Sequence, residues 1–154
     1  MNKNRILVNE LKNFNRINST YLSIILVLVG TLLPAISAKV QVPFWPVPMT
    51  MQTFVVFLIG ATYSVRLSFA TLVAYLFEGA LGLPVFASGG GIAYLIGPTA
   101  GYLYGMTLSV VLISYLANRG YTLTYLKTTM TFLLASVIIF ALGILYLGSI
   151  IGYE

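Results

Sequence analysis

Apolar residues run along this chain in five long stretches, broken by short segments that hold nearly all of its charges and most of its prolines. The runs are 21–38, 50–65, 67–83, 98–116 and 129–153. A membrane-crossing helix needs about 20 predominantly apolar residues, with a tolerated range of roughly 17–25. The pattern therefore predicts an all-α integral membrane protein, a bundle of five transmembrane helices. The second and third runs are short and separated only by Arg66. Read as one helix they would place that guanidinium near mid-bilayer, which is costly; a tight hairpin with Arg66 at the interface is the better reading. The basic first twenty residues followed by run 21–38 also resemble a signal peptide, with Ala35-Ile36-Ser37-Ala38 as a small-residue cleavage site, although the run exceeds an h-region of roughly 7–15 residues. The preferred division is a basic segment 1–20 ahead of a membrane domain 21–154.

Composition sharpens this. Hydrophobic residues make up 59% of the 154 positions and charged residues 7%. That share of charge cannot cover a folded surface in water, where about 25% is usual. There is no Cys, His or Asp, and the acids are Glu10, Glu78 and Glu154. A Ser-His-Asp triad, a Cys nucleophile, an imidazole or thiolate metal site and a disulfide framework are all excluded. Three scattered glutamates make neither a metal cage nor a glycosidase pair. No G-x-x-x-x-G-K-[ST] occurs, so the chain is not itself a P-loop ATPase. No cofactor is expected, and an enzyme is the least favoured class.

Charge then orients the spans. With the N-terminus cytoplasmic, Lys3, Arg5, Lys12, Arg16, Arg66, Arg119 and Lys127 fall inside, and only Lys39 falls outside. A positive-inside bias of that size favours this orientation. The scatter of the basic residues argues against nucleic-acid binding.

Two unusual loops then share the outer face. In 39–49, Pro43, Pro46 and Pro48 surround Trp45, the single tryptophan. Proline fixes φ and restrains its predecessor, so this loop is expected to be extended and stiff. The second, 82–101, is rich in glycine, which permits close backbone approach. Irregular backbone at membrane depth lines a cavity or is covered by protein. Glu78, the acid inside an apolar run, lies about a turn from the outer end of its span and is a functional candidate by default. Gln52 starts the second span with both a donor and an acceptor. Tyr94, Thr99 and Tyr102 cluster beside the second loop. Gly101-x-x-x-Gly105 and the weaker Thr31-x-x-x-Ala35 permit close helix packing, either internally or with a partner helix.

Three segments carry a resemblance. Ala38-Lys-Val-Gln-Val-Pro-Phe-Trp-Pro-Val-Pro-Met-Thr-Met-Gln-Thr-Phe54 resembles the first loop and second helix of the BioY biotin transporter family. Tyr75-Leu-Phe-Glu-Gly-Ala-Leu-Gly-Leu-Pro-Val-Phe-Ala87 resembles the family's third helix and its exit. Gly91-Ile-Ala-Tyr-Leu-Ile-Gly-Pro-Thr-Ala-Gly-Tyr-Leu103 resembles its glycine-rich segment, with Ala100 where glycine is usual. The resemblance implies the substrate-binding S component of an energy-coupling factor transporter: six membrane helices in the bacterial cytoplasmic membrane, capture of biotin from the outer face, and uptake driven by a transmembrane coupling protein with two cytoplasmic ATPases. The family continues into a sixth helix with polar residues, beginning near where this sequence reaches Gly152-Tyr153-Glu154.

On that footing, the chemistry of biotin distributes roles. Gln52, Glu78 and Tyr94 are candidates for the ureido ring, Trp45, Phe86 and Tyr102 for apolar walls, and Lys39 or the Ser88–Gly91 stretch, including Gly90, for the carboxylate. Other readings are an S component for another vitamin, a non-transporting membrane scaffold, and a channel or proton-coupled carrier built on Glu78. The stiff Pro-Trp loop opposite a glycine-rich one argues against a scaffold, and a lone acid against a proton relay.

Overall fold

The computed structural model describes residues 19–152, apart from the side chain of Ser19. The basic segment at 1–18, with Glu10, and the terminal Tyr153 and Glu154 lie outside the described residues. The chain is an all-α, membrane-associated helical bundle. Helix α1 spans Ser19–Lys39. A small antiparallel hairpin follows, β1 Gln41–Val42 paired with β2 Met49–Thr50 in the register Gln41↔Thr50. Then come α2 Gln52–Thr62, α3 Val65–Ala80, the single turn α4 Ile92–Leu95 and α5 Ala100–Asn118. A 3-10 turn, Tyr121–Leu123, leads into α6, Tyr125–Ile151.

Three of these helices are long and apolar enough to cross a membrane: Thr20–Lys39, Ala100–Asn118 and Tyr125–Ile151. This corrects the expectation of five full-length spans. At 1.5 Å per residue, α2 and α3 are only about 17 and 24 Å long, against a hydrocarbon core of about 30 Å. Their separation at a tight turn does match the sequence pattern, but the break falls earlier than Arg66. Tyr63 and Ser64 take extended backbone angles, and Ser64 stands at the N-cap position of α3 without a side-chain capping hydrogen bond. Arg66 therefore sits in the first turn of α3. The Pro-rich segment, expected from its prolines to be extended, is not so throughout: only Gln41–Val42 and Met49–Thr50 are strand, and the chain bends at Trp45–Val47, where it forms the tip of the β1–β2 hairpin.

Helix α5 is central and packs against α2, α3 and α6. Its glycines decide how closely. A Cβ on Gly105 would come within 2.8 Å of the Cα of Ile139, and one on Gly101 within 2.7 Å of the carbonyl oxygen of Leu142. Both glycines thus seat α5 on α6 within the chain; of the two readings, internal packing is the one realised. Thr31 is buried, with its hydroxyl donating to the carbonyl of Leu28, and Ala35 packs on the core. These small residues of α1 also face the chain's own helices. Val56, Ile59, Leu72, Tyr75, Phe86, Val110 and Ile139 form the buried apolar centre where α2, α3, α5 and α6 meet. Hydroxyls in the interior are satisfied in place: Ser68 and Ser114 lie 2.6 Å apart, and Ser109 donates to the carbonyl of Ala135 across the α5–α6 contact. The outward faces of α1 and α6 are dense with exposed Leu, Ile and Val, a surface matched to lipid.

The topology separates the two ends of the bundle. The α2–α3 turn with Arg66, the α5–α6 connection with Arg119 and Lys127, and the start of α1 share one end. There the Arg119 guanidinium sits 4.4 Å from the centre of the Tyr115 ring and the Lys127 ammonium 5.4 Å from that of Tyr121. The hairpin and the glycine-rich loop share the other.

Candidate ligand cavity

Glycine makes the loop end of the bundle possible. On α3, the ring of Phe86 occupies the space where a Cβ of Gly79 would stand. Phe86 is fully buried, edge-on to Tyr75 at 5.4 Å between ring centres and stacked on Tyr94 at 4.8 Å. The loop is pinned around it. The Gly91 N–H donates to the Gly79 carbonyl at 2.7 Å, and the Lys39 ammonium donates to the Phe86 carbonyl at 2.7 Å. Gly91 has a φ of +104°, a conformation that side chains other than glycine rarely adopt.

Between this loop, the hairpin and the helices lies a cavity of about 200 Å³. The hairpin contributes Val47–Thr50, α2 contributes Gln52 and Thr53, and the loop contributes Ala87, Tyr94 and Thr99. Tyr102, Leu103 and Met106 of α5 and Ile139 and Phe140 of α6 complete it. A second, shallower recess of about 370 Å³ adjoins it, sharing Pro48, Tyr94 and Thr99 and adding Ser88 and Gly90. An apolar concavity with a few convergent polar groups is the usual form of a small-molecule site.

Of the residues singled out from the sequence, Gln52, Tyr94, Thr99 and Tyr102 line the cavity, and Ser88 and Gly90 line the adjoining recess. Four others stand elsewhere. Trp45 is 88% exposed at the hairpin tip. Phe86 lies behind the wall because Gly79 gives it room there. Lys39 is engaged with the loop backbone. Glu78 is half-buried near the end of α3, off the cavity lining.

Gln52 is the most constrained polar group in the wall. Its side chain is 5% exposed. Its Nε2 donates to the Tyr75 hydroxyl at 2.6 Å, that hydroxyl donates to the Val85 carbonyl at 2.9 Å, and the Thr50 hydroxyl donates to Gln52 Oε1 at 3.0 Å. Tyr75, Thr50, Met106 and Phe140 were not singled out from the sequence. Tyr75 is one of eleven tyrosines and meets Gln52 only through the α2–α3 contact. Met106 and Phe140 read as ordinary span residues.

A bundle with a partly open, mostly apolar cavity at the end away from its basic turns belongs to the class of membrane-embedded small-molecule binders. Within that class the family is specific: the model of the BioY family matches residues 9–154, and the chain belongs to this family. The "Probable biotin transporter BioY" of Rickettsia prowazekii is 31% identical over 148 residues, covering 96% of this chain and 76% of that protein. The protein of the same description from Lysinibacillus sphaericus is 35% identical over 126 residues, covering 82% of this chain and 64% of its own length. The crystal structure of the S-component for biotin from an ECF-type ABC transporter superposes with a TM-score of 0.76, at 20% identity, over 88% of this chain and 76% of that one. That likeness concerns the fold.

Proposed function

We propose that this chain is the membrane subunit that captures biotin from the outer face for ATP-driven uptake. The transmembrane coupling protein and cytoplasmic ATPases of an energy-coupling factor transporter are its partners. Membership of the BioY family supports the substrate, and the cavity behind the hairpin is the observation that carries the binding role. Leu103, Met106 and Ile139 suit the apolar bicycle, Tyr94 and Tyr102 its faces, and Gln52 the ureido group. Thr99 and the Ser88–Gly90 recess are placed for the valerate arm and its carboxylate. The protein has no catalytic role and no cofactor; biotin is its cargo.

The bilayer position follows from charge. Arg66, Arg119 and Lys127 share the end opposite the cavity; in the sequence Lys3, Arg5, Lys12 and Arg16 precede α1, whose start lies at that same end. This supports a cytoplasmic N-terminus in the bacterial inner membrane, with the cavity facing outward. On this reading α1, α2, α3, α5 and α6 are five crossings of the membrane domain 21–154, the shorter α2 and α3 being completed at the outer face by the hairpin and loop.

The test is ligand-induced stabilisation of the detergent-solubilised chain with biotin, thiamine and riboflavin side by side. Biotin alone is expected to raise the melting temperature, because a ligand bound only to the folded state stabilises it by mass action. A shift with another vitamin and none with biotin overturns the substrate. The scaffold alternative loses its main support, since Gly101 and Gly105 are occupied within the chain.

A further inference from the structure

The hydrogen bonds around Gln52 determine more than its place in the cavity wall. The Val85 carbonyl can only accept, so the Tyr75 hydroxyl proton is committed to it at 2.9 Å. The Tyr75 oxygen then faces Gln52, 2.6 Å away, as an acceptor. The carboxamide must answer with its nitrogen, since a carbonyl oxygen there would set two acceptors against each other. On the other side the Thr50 hydroxyl, which accepts the Gln52 backbone N–H at 3.4 Å, donates to Oε1 at 3.0 Å. The amide is thus clamped at both ends, and its direction follows from the network.

Tyr75 itself does not reach the cavity. It is fully buried, its ring edge-on to Phe86, and it is absent from the cavity lining. Its effect on a ligand therefore passes through Gln52. After both clamps are counted, one lone pair of Oε1 and one hydrogen of Nε2 remain. A buried group of fixed polarity rejects a ligand that offers the wrong partner, because an unmatched donor or acceptor keeps its full desolvation cost.

We infer that Tyr75 is a positioning residue that sets the direction of the Gln52 amide, with Thr50 as the opposing clamp. The cavity thereby selects a ligand edge carrying an N–H beside a C=O, as in a cyclic urea. This inference rests on the proposed biotin reading and deepens it. It assigns discrimination to a residue that touches no ligand.

The full chain, in detergent or nanodiscs, is titrated with biotin and with a biotin derivative methylated on the ureido nitrogens. The wild-type chain is expected to prefer biotin. Tyr75→Phe keeps the ring against Phe86 and removes only the hydroxyl. Biotin affinity should fall about tenfold, the effect of one lost buried partner. Affinity for the methylated derivative should change little, so the preference narrows. In a Gln52→Leu background Tyr75→Phe should add nothing, because the effect has lost its carrier. Thr50→Val approaches the same amide from the hairpin, outside the core, and should narrow the preference in the same direction; Thr50→Ser should restore it. A purely structural Tyr75 would weaken both ligands equally and would do so in the Gln52→Leu background too, which overturns the inference. If Tyr75→Phe does not fold, an unchanged preference in Thr50→Val overturns it instead. Failure of the wild-type chain to bind biotin overturns the proposed function and the ureido assignment with it. Biotin binding with a preference indifferent to both clamps overturns only the role of Tyr75.

Discussion

The ammonium of Lys39, the last residue of α1, donates a 2.7 Å hydrogen bond to the backbone carbonyl of Phe86, 47 residues further along the chain. This contact makes the sequence-based role of Lys39, as partner of a ligand carboxylate, one of two distinguishable possibilities. A lysine has three donors and only one is used here. If Lys39 acts by holding the loop, Lys39→Ala should weaken biotin and biotin methyl ester to the same degree, by about tenfold, the low end for a hydrogen bond to a charged group because the site is partly solvated. If it pairs with the carboxylate, only the acid should lose affinity. Parallel titration of the two ligands decides, and the geometry favours equal loss.

Gly79 tests how the loop is seated. Its missing side chain is filled by the ring of Phe86, which Tyr75 and Tyr94 hold from two sides. Alanine in place of a helical glycine gains up to about 1 kcal/mol in propensity. Overpacking a fixed aromatic ring costs about 1–3 kcal/mol. The net sign is destabilising, and Gly79→Ala should lower the melting temperature and biotin affinity together. Adding Phe86→Leu should recover part of the stability, which thermal melts of the single and double variants will show.

The same contacts explain what sequence reasoning reached and what it missed. Helices were legible because long apolar runs have few alternatives in a membrane. Their true lengths were not, since Thr50, Met51, Tyr63 and Ser64 are all compatible with helix in composition, and the break at Tyr63–Ser64 and the hairpin register depend on tertiary pairing. In the cavity, Gln52, Tyr94, Thr99 and Tyr102 were recognisable as polar or aromatic groups at the loop ends of spans. Phe86 reads as a wall residue from its aromatic side chain and its place in the second resembling segment; that Gly79, seven residues earlier, makes room for it behind the wall is a helix-to-loop contact with no local signature. Tyr75 was invisible for the same reason, its partners lying 23 residues before it and 10 after.

Trp45 separates conspicuous composition from contact. It is the single tryptophan in a proline-rich segment, yet it is 88% exposed and lies off the cavity. Trp45→Ala should change biotin affinity by less than about threefold, the range of surface substitutions that remove no buried partner. Tyr94→Ala, by contrast, removes a ring that both lines the cavity and stacks on Phe86. Aromatic truncations of this kind cost about 3–5 kcal/mol in a core, and binding should fall at least tenfold. Equilibrium titration of both variants checks the contrast; a larger loss for Trp45→Ala would place the ligand at the hairpin tip.

Gly143 of α6 offers the cleanest separation of binding from stability. The ring of Tyr102 rests against its Cα, in the space a Cβ would take, and also meets Phe140 edge-on at 6.3 Å. Tyr102 and Phe140 both line the cavity. In Gly143→Ala the added methyl meets one edge of the Tyr102 ring (Cδ1, Cε1 and Cζ) rather than backbone, so the ring must shift, and as a half-buried side chain Tyr102 can do so. The helix gains about 1 kcal/mol from alanine, offsetting part of the cost of the shift. Stability of the unliganded chain should therefore move by less than about 1 kcal/mol, while the cavity that Tyr102 lines changes shape. Biotin affinity is expected to drop about tenfold or more, chiefly through faster dissociation. Melting temperature without ligand and the dissociation rate of labelled biotin, measured on the same preparation, separate the two effects. Equal binding by Gly143→Ala and wild-type chain would show that Tyr102 does not bound the ligand.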